Sequence, residues 1–231
     1  VHEVWLDAYH IAVHPITNEQ FAWFVDTTGY MTTREQPGGG PPYWRQYADP
    51  GRERHPVICV NWVDVAAFAA WARCRMPTEA EWEKAARGGL ERADYPWGDD
   101  PPDNHCNWRG ATAKPNVSEL NGAGWGVTPV GSYPANGYGL FDMSGNVWEW
   151  CSDAYGETYY AESPARNPKA PTNDDQGTDA PHPEWIEDAH LAADPEVYPA
   201  LRRGRRGTNT FRLPPCARAY ARAWSRRQPR R

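Results

Sequence analysis

Apolar residues recur at helical spacing in three stretches of this chain and alternate at strand spacing only in short runs. Val4-Trp5-Leu6 and Tyr9 to Val13 predict two short strands around a bend. Thr17-Asn18-Glu19-Gln20 is a capping box, and Phe21, Phe24 and Val25 behind it sit at i, i+3 and i+4. Gly29 closes that helix. Residues 31–55 predict a loop around the proline-glycine run 37–42. His55 to Val60 predicts a buried strand. Asn61 then caps a second helix with Val65, Phe68, Ala69 and Ala72 inward. Thr78 and Glu81 form another capping box, for a helix that Gly88 stops. Glu79, Glu81 and Glu83 lie near the positive end of its dipole, where solvated acids are expected.

Composition changes the picture of the core. The 231 residues hold 13 Trp, 12 Tyr, 23 Pro and 20 Gly. Loop-rich chains align few aliphatic stripes, so rings are expected to fill the interior. No apolar run reaches the ~18 residues of a membrane helix, and no signal-peptide pattern is present. Five cysteines without a C-x-x-C pair argue against a zinc site and a secreted disulfide framework. A reducing cytoplasm is the default expectation. Without a repeat or second core, residues 1–231 are expected to form a single domain, with a polar surface insertion at about 172–199.

The chain is organised around Asn136 to Trp150. Asn136-Gly137 is a turn dipeptide, Leu140 and Phe141 are expected to be buried, and Ser144-Gly145 makes a second bend. Asp142, Gly145, Val147 and Glu149 form a D-x-x-G-x-V-x-E array. Side-chain oxygens at its ends and main-chain carbonyls between them suit a hard cation with six to eight oxygen ligands, which means calcium. The plainer alternative is that Asp142 caps a turn and Glu149 meets an arginine.

This string, the run from Pro77 to Gly89, the opening from Thr17 to Tyr30 and the Tyr95-Pro96-Trp97-Gly98 turn resemble the formylglycine-generating-enzyme/sulfatase-modifying-factor family. The resemblance implies an α+β, C-type-lectin-like fold of the formylglycine-generating-enzyme type, loop-rich with short helices and small sheets. It also implies a structural calcium held by Asp142, the carbonyls of Gly145 and Val147, and Glu149. Asn107-Trp108 corresponds to a second family calcium site, for which residues 121–125 supply no carboxylate.

Charge is unevenly placed. Residues 201–231 carry eleven arginines and no acid, which leaves −17 on residues 1–200 of a chain whose net charge is −6. From Ala217 to Trp224 every second residue is alanine. An extended chain there puts Arg218, Tyr220, Arg222 and Trp224 on one face. A helix with Arg218, Arg222 and Arg226 at i, i+4 spacing is the alternative.

The family's oxidases place two copper-binding cysteines five residues apart in this segment. Cys216 matches the second, but Phe211 stands at the first, so the pair that soft copper requires is incomplete. Another branch resembling this fold, the variable proteins of diversity-generating retroelements, uses the segment as a diversified binding surface. The expectation is therefore a non-catalytic protein that binds a protein or other macromolecular ligand. Its contacts would come from Asn209, Phe211, Arg212, Leu213, Arg218, Tyr220, Arg222 and Trp224. The alternatives are a copper oxidase of protein cysteines using Cys216, and a nucleic-acid binder working through the arginine-aromatic tail.

Overall fold

Three side-chain caps start the three longer helices of the computed structural model, which describes residues 3–108, 126–154 and 158–171 and the backbone of 201–203 and 207–210. Helix α1 (Asn18–Thr28) begins where the Thr17 hydroxyl accepts from the Gln20 N–H and Gln20 Oε1 accepts from the Thr17 N–H. Asn61 and Asp64 exchange the same pair of bonds at α2 (Trp62–Trp71), and Thr78 and Glu81 at α3 (Glu79–Arg87). Each reciprocal pair satisfies two donors that the first helical turn cannot pair internally. Gly29 and Gly88 close α1 and α3 in the left-handed conformation. One further turn of helix, α4, spans Tyr159–Glu162.

Rings fill the main core, as the composition predicts. Phe21, Phe24 and Val25 from α1 pack against Ala67, Phe68 and Trp71 from α2 and against Trp44. The Phe21 ring meets Trp44 edge-on at 5.1 Å and stacks on Phe68 at 5.9 Å. Val65 and Ala72, expected inward, are only half-buried; Asp64, Ala67 and Trp71 take the buried positions. The predicted loop 31–55 contains a short 3-10 turn, Trp44–Tyr47, which delivers Trp44 to this core.

The predicted strand His55 to Val60 does not form. Pro56 makes one isolated bridge to Thr17, and residues 57–60 are half-buried. Pro56 has no N–H to give a ladder, and Cys59 turns the backbone into the left-handed region at φ 62°.

The two predicted N-terminal strands do form, as β1 (Glu3–Leu6) and β2 (His10–Ala12). Their partners come from the far end of the sequence. Strand β2 pairs antiparallel with β3 (Leu201–Arg203), and β1 with β4 (Gly207–Thr210), Glu3 opposite Thr210. Val4 and Leu6 turn inward onto Ala80 of α3. The 172–199 insertion lies outside the described residues.

The end of α3 fits closely against the central segment. A Cβ on Gly137 would lie 2.3 Å from the Gly88 carbonyl oxygen, and one on Gly88 would lie 2.7 Å from the Gly137 nitrogen. Gly137→Ala is therefore expected to cost about 2–3 kcal/mol through forced backbone displacement. Urea titration of the variant checks this; an unchanged midpoint would show that the two turns can part freely.

Candidate functional site

The central segment is held by α3 from below. Asn136 Nδ2 donates to the carbonyls of Ala85 and Ala86 at 2.8 and 3.2 Å, satisfying acceptors at the helix C-terminus. Its Oδ1 accepts from the Tyr138 and Leu140 N–H groups, which fixes the Asn136-Gly137 turn. Leu140 is buried against Ala85, Ala86 and Met143, as predicted, while Phe141 is half-buried. The Phe141 N–H donates to the Val13 carbonyl, just past β2.

Between Leu140 and Trp150 the backbone enters the left-handed region three times, at Asp142 (φ 57°), Gly145 (φ 82°) and Asn146 (φ 60°). Glycine is required at 145, because a Cβ there would stand 2.3 Å from the Asn107 carbonyl oxygen. Asn146 locks the bend. Its N–H donates to that carbonyl, its Oδ1 accepts from the Thr128 N–H, and its Nδ2 donates to the Thr128 carbonyl. Asn107 thus serves this bend, through its backbone and through its own Nδ2 bonds to Gly126 and Asn146.

Of the four predicted calcium ligands, Asp142 is buried and accepts from the Gly131 N–H at 2.7 Å. Burial pushes its carboxyl above the usual range, against the opposing pull of that bond and of His14. Glu149 Oε2 accepts from the Trp82 indole at 3.0 Å, and among the described residues no arginine pairs with it. Crowding by protein pushes Glu149 up to about 7, and the Asp142 charge adds to the rise. Glu149 is nonetheless exposed to solvent, and water screens its charge. The Gly145 carbonyl accepts from the Val147 N–H at 2.8 Å and keeps a second lone pair. Among the described residues no three His, Cys, Asp or Glu side chains converge on a metal position. A cation here would need main-chain oxygens beside the two carboxylates, which is the donor set of the array.

A second acidic group differs from the sequence expectation. Glu83 is buried, and Glu79 and Glu81 are half-buried. Glu83 is 2% exposed and pairs with buried Arg87 at 2.6 Å. Glu79 accepts from the Tyr160 hydroxyl at 2.9 Å, and Glu81 pairs with Arg75 at 2.7 Å. Burial raises Glu83 despite its arginine, and raises Glu79 despite its tyrosine. Glu81 is held below the usual range, since the Arg75 and Thr78 bonds overcome its burial. The Glu83–Arg87 spacing of four was legible as a helix pair; its burial was not. Burial, then Asp153, Glu79, Glu149 and Glu81, pushes the Cys151 thiol far up, so it stays protonated and inert.

Of the predicted ligand-binding residues, Asn209 lies in β4 with its backbone opposite Val4. Phe211, Arg212, Leu213, Arg218, Tyr220, Arg222, Trp224 and the alternative nucleophile Cys216 lie outside the described residues.

The capped helices, the close fit of α3 and the acidic bend together define a scaffold of the formylglycine-generating-enzyme type. The chain belongs to the sulfatase-modifying factor enzyme 1-like domain family, whose pattern matches residues 1–229. It is 40% identical over 208 residues to the formylglycine-generating enzyme of Streptomyces coelicolor, covering 74% of this chain and 66% of that one. It is 36% identical over 189 residues to the serine/threonine-protein kinase pkn1 of Chlamydia caviae, covering 77% of this chain and 28% of that one. The fold is shared with PvdO from Pseudomonas aeruginosa, at a TM-score of 0.51 and 24% identity, covering 71% of this chain and 74% of PvdO. This chain thus spans about two thirds of the length of the Streptomyces relative. No helix among the described residues is long and apolar enough to cross a membrane.

Proposed function

We propose that this chain is a non-catalytic ligand-binding member of its family. It uses a calcium-stabilised, α+β, C-type-lectin-like scaffold to present its C-terminal segment to a protein or other macromolecule. The observation that carries this reading is Phe211. Copper oxidation of a cysteine needs two thiolates, and this chain offers Cys216 with a phenylalanine at the partner position. The pairing of β4 with β1 supports it, because the segment that follows Thr210 starts from a hydrogen-bonded edge. The contact set is Asn209, Phe211, Arg212, Leu213, Arg218, Tyr220, Arg222 and Trp224. A diversity-generating retroelement would place its substitutions among residues 207–223, with Trp224 fixed. The match to a chain named as a kinase shows this domain type in chains other than those named formylglycine-generating enzymes.

The 40% identity to a formylglycine-generating enzyme favours a second reading, an oxidase of protein cysteines. Anaerobic cuprous titration, with Cys216→Ala as control, separates the two. The binding reading expects no tight copper and no oxygen-dependent conversion of a cysteine peptide. Tight copper that disappears in Cys216→Ala, together with peptide conversion, overturns it. Nucleic-acid binding would instead show an affinity that falls steeply with salt.

We infer a structural calcium at Asp142, the Gly145 and Val147 carbonyls and Glu149. Buried Asp142 and exposed Glu149 both have raised proton affinity, Glu149 partly through the Asp142 charge, and a divalent cation between them would relieve that repulsion. Without calcium, a Glu149 raised to about 7 contributes stability fully below its ordinary 4.5, and that contribution is lost as pH rises through about 7. The chelated protein is therefore expected to melt lower at about pH 8 than at about pH 5 on account of this group. Calcium at about a hundredfold over its dissociation constant should add roughly 3 kcal/mol at the higher pH. Melting curves with chelator and with calcium, repeated on Glu149→Gln, check both. Curves that coincide would remove the site.

A further inference from the structure

We propose that one internal water is bound where the start of α1, the Trp44–Tyr47 turn and the loop before Pro56 meet. Three buried polar atoms on these three segments lack a hydrogen-bond partner: Asn18 Oδ1, Trp44 Nε1 and His55 Nδ1. Their residues are 2%, 1% and 8% exposed, so bulk solvent does not serve them. Asn18 joins the three segments. Its backbone N–H donates to the His55 carbonyl at 2.8 Å, and its Nδ2 donates to the Tyr47 and Arg52 carbonyls, both at 3.0 Å. Those two bonds fix the amide orientation, so the orphaned atom is the oxygen. Trp44 opens the turn that Tyr47 ends, and its ring packs on Phe21, one turn along α1 from Asn18.

The chemistry selects the ligand. Asn18 Oδ1 only accepts, Trp44 Nε1 only donates, and a neutral His55 protonated at Nε2 accepts at Nδ1. A water gives one hydrogen to Asn18, the other to His55, and accepts from Trp44. A chloride would answer the indole but oppose the amide oxygen. An ammonium would answer the two acceptors and leave the indole unpaired. If His55 takes a second proton, the same water still serves by accepting twice and donating once. Buried waters with about three protein bonds are a regular part of globular interiors.

The test uses the wild-type chain. A crystal structure that orders solvent should show a peak at about 3 Å from Asn18 Oδ1 and from at least one of Trp44 Nε1 and His55 Nδ1. In solution the Trp44 indole proton should show a cross-peak to a long-lived water, and Asn18→Leu should abolish it. Density with the indole or imidazole bonded directly to a protein acceptor would overturn the proposal. So would the absence of both peak and cross-peak in the wild type.

Discussion

Asp64→Ala is expected to destabilise the protein by about 4 kcal/mol, lowering the melting temperature by roughly 8–16 °C for a chain of this size. The residue is 0% exposed at the start of α2. One carboxylate oxygen accepts from the Tyr30 hydroxyl at 2.9 Å and from the Thr33 N–H and hydroxyl, both at 2.8 Å. The other accepts from the Asn61 N–H at 2.9 Å and completes the cap. Alanine takes the acceptor from four donors at once; the exposed Thr33 can turn to water, while Tyr30 and Asn61 are half-buried, and donors kept from water cost more than made bonds contribute. Burial, followed by the Asp64 charge, raises the Tyr30 hydroxyl, in keeping with a donor locked against an anion. Asp64→Asn separates the causes. Its oxygen can keep the Tyr30 and Thr33 bonds while its amide opposes the Asn61 N–H, so about half the loss is expected. Calorimetry decides; a loss under about 1 kcal/mol for Asp64→Ala would show that water replaces these bonds.

Arg87→Met is expected to cost about 3–5 kcal/mol near neutral pH. The guanidinium and the Glu83 carboxylate are both buried, and the Arg87 Nε and Nη2 atoms donate to one carboxylate oxygen at 2.9 and 2.6 Å. Removing the cation leaves a buried anion whose proton affinity is already raised by burial. The variant can escape the penalty only by protonating Glu83. Its deficit against wild type should therefore shrink as pH falls from about 8 to about 5. Adding Glu83→Gln should recover part of the loss, because the uncompensated charge goes with it. Denaturant titrations of both variants at the two pH values test this, and a deficit constant with pH would contradict it.

The helix starts were readable because their caps close within four residues: Thr17 with Gln20 and Thr78 with Glu81 as boxes, and Asn61 as a cap whose reciprocal partner Asp64 only the structure reveals. The bend at Gly145 was readable for the same reason. The strand expected at His55 to Val60 failed because a buried apolar run does not reveal a backbone turned at Cys59. Glu79 was misread because Tyr160, which covers it, lies 81 residues away. Proximity to a helix N-terminus says an acid is tolerated there and says nothing of which face is covered. The paired carboxylates of the acidic bend were legible as residue types, while their raised proton affinity comes from the protein packed around them, against the opposing bonds from Gly131 and Trp82, which lie far off in sequence.

The stitching of β1 to β4 and β2 to β3 has a temporal side. Glu3 and Thr210 face one another across the sheet but emerge from the ribosome far apart in time. At 5–20 residues per second, β1 waits roughly 10–40 s for its partner. Contacts of such long sequence separation form late, after the capped helices and their aromatic core have local reasons to assemble. Val4 and Leu6 can settle on Ala80 meanwhile, but the strand's outer edge stays open to other chains. Synthesis rate and crowding during translation should thus govern the yield of folded protein more than the stability of the finished core does.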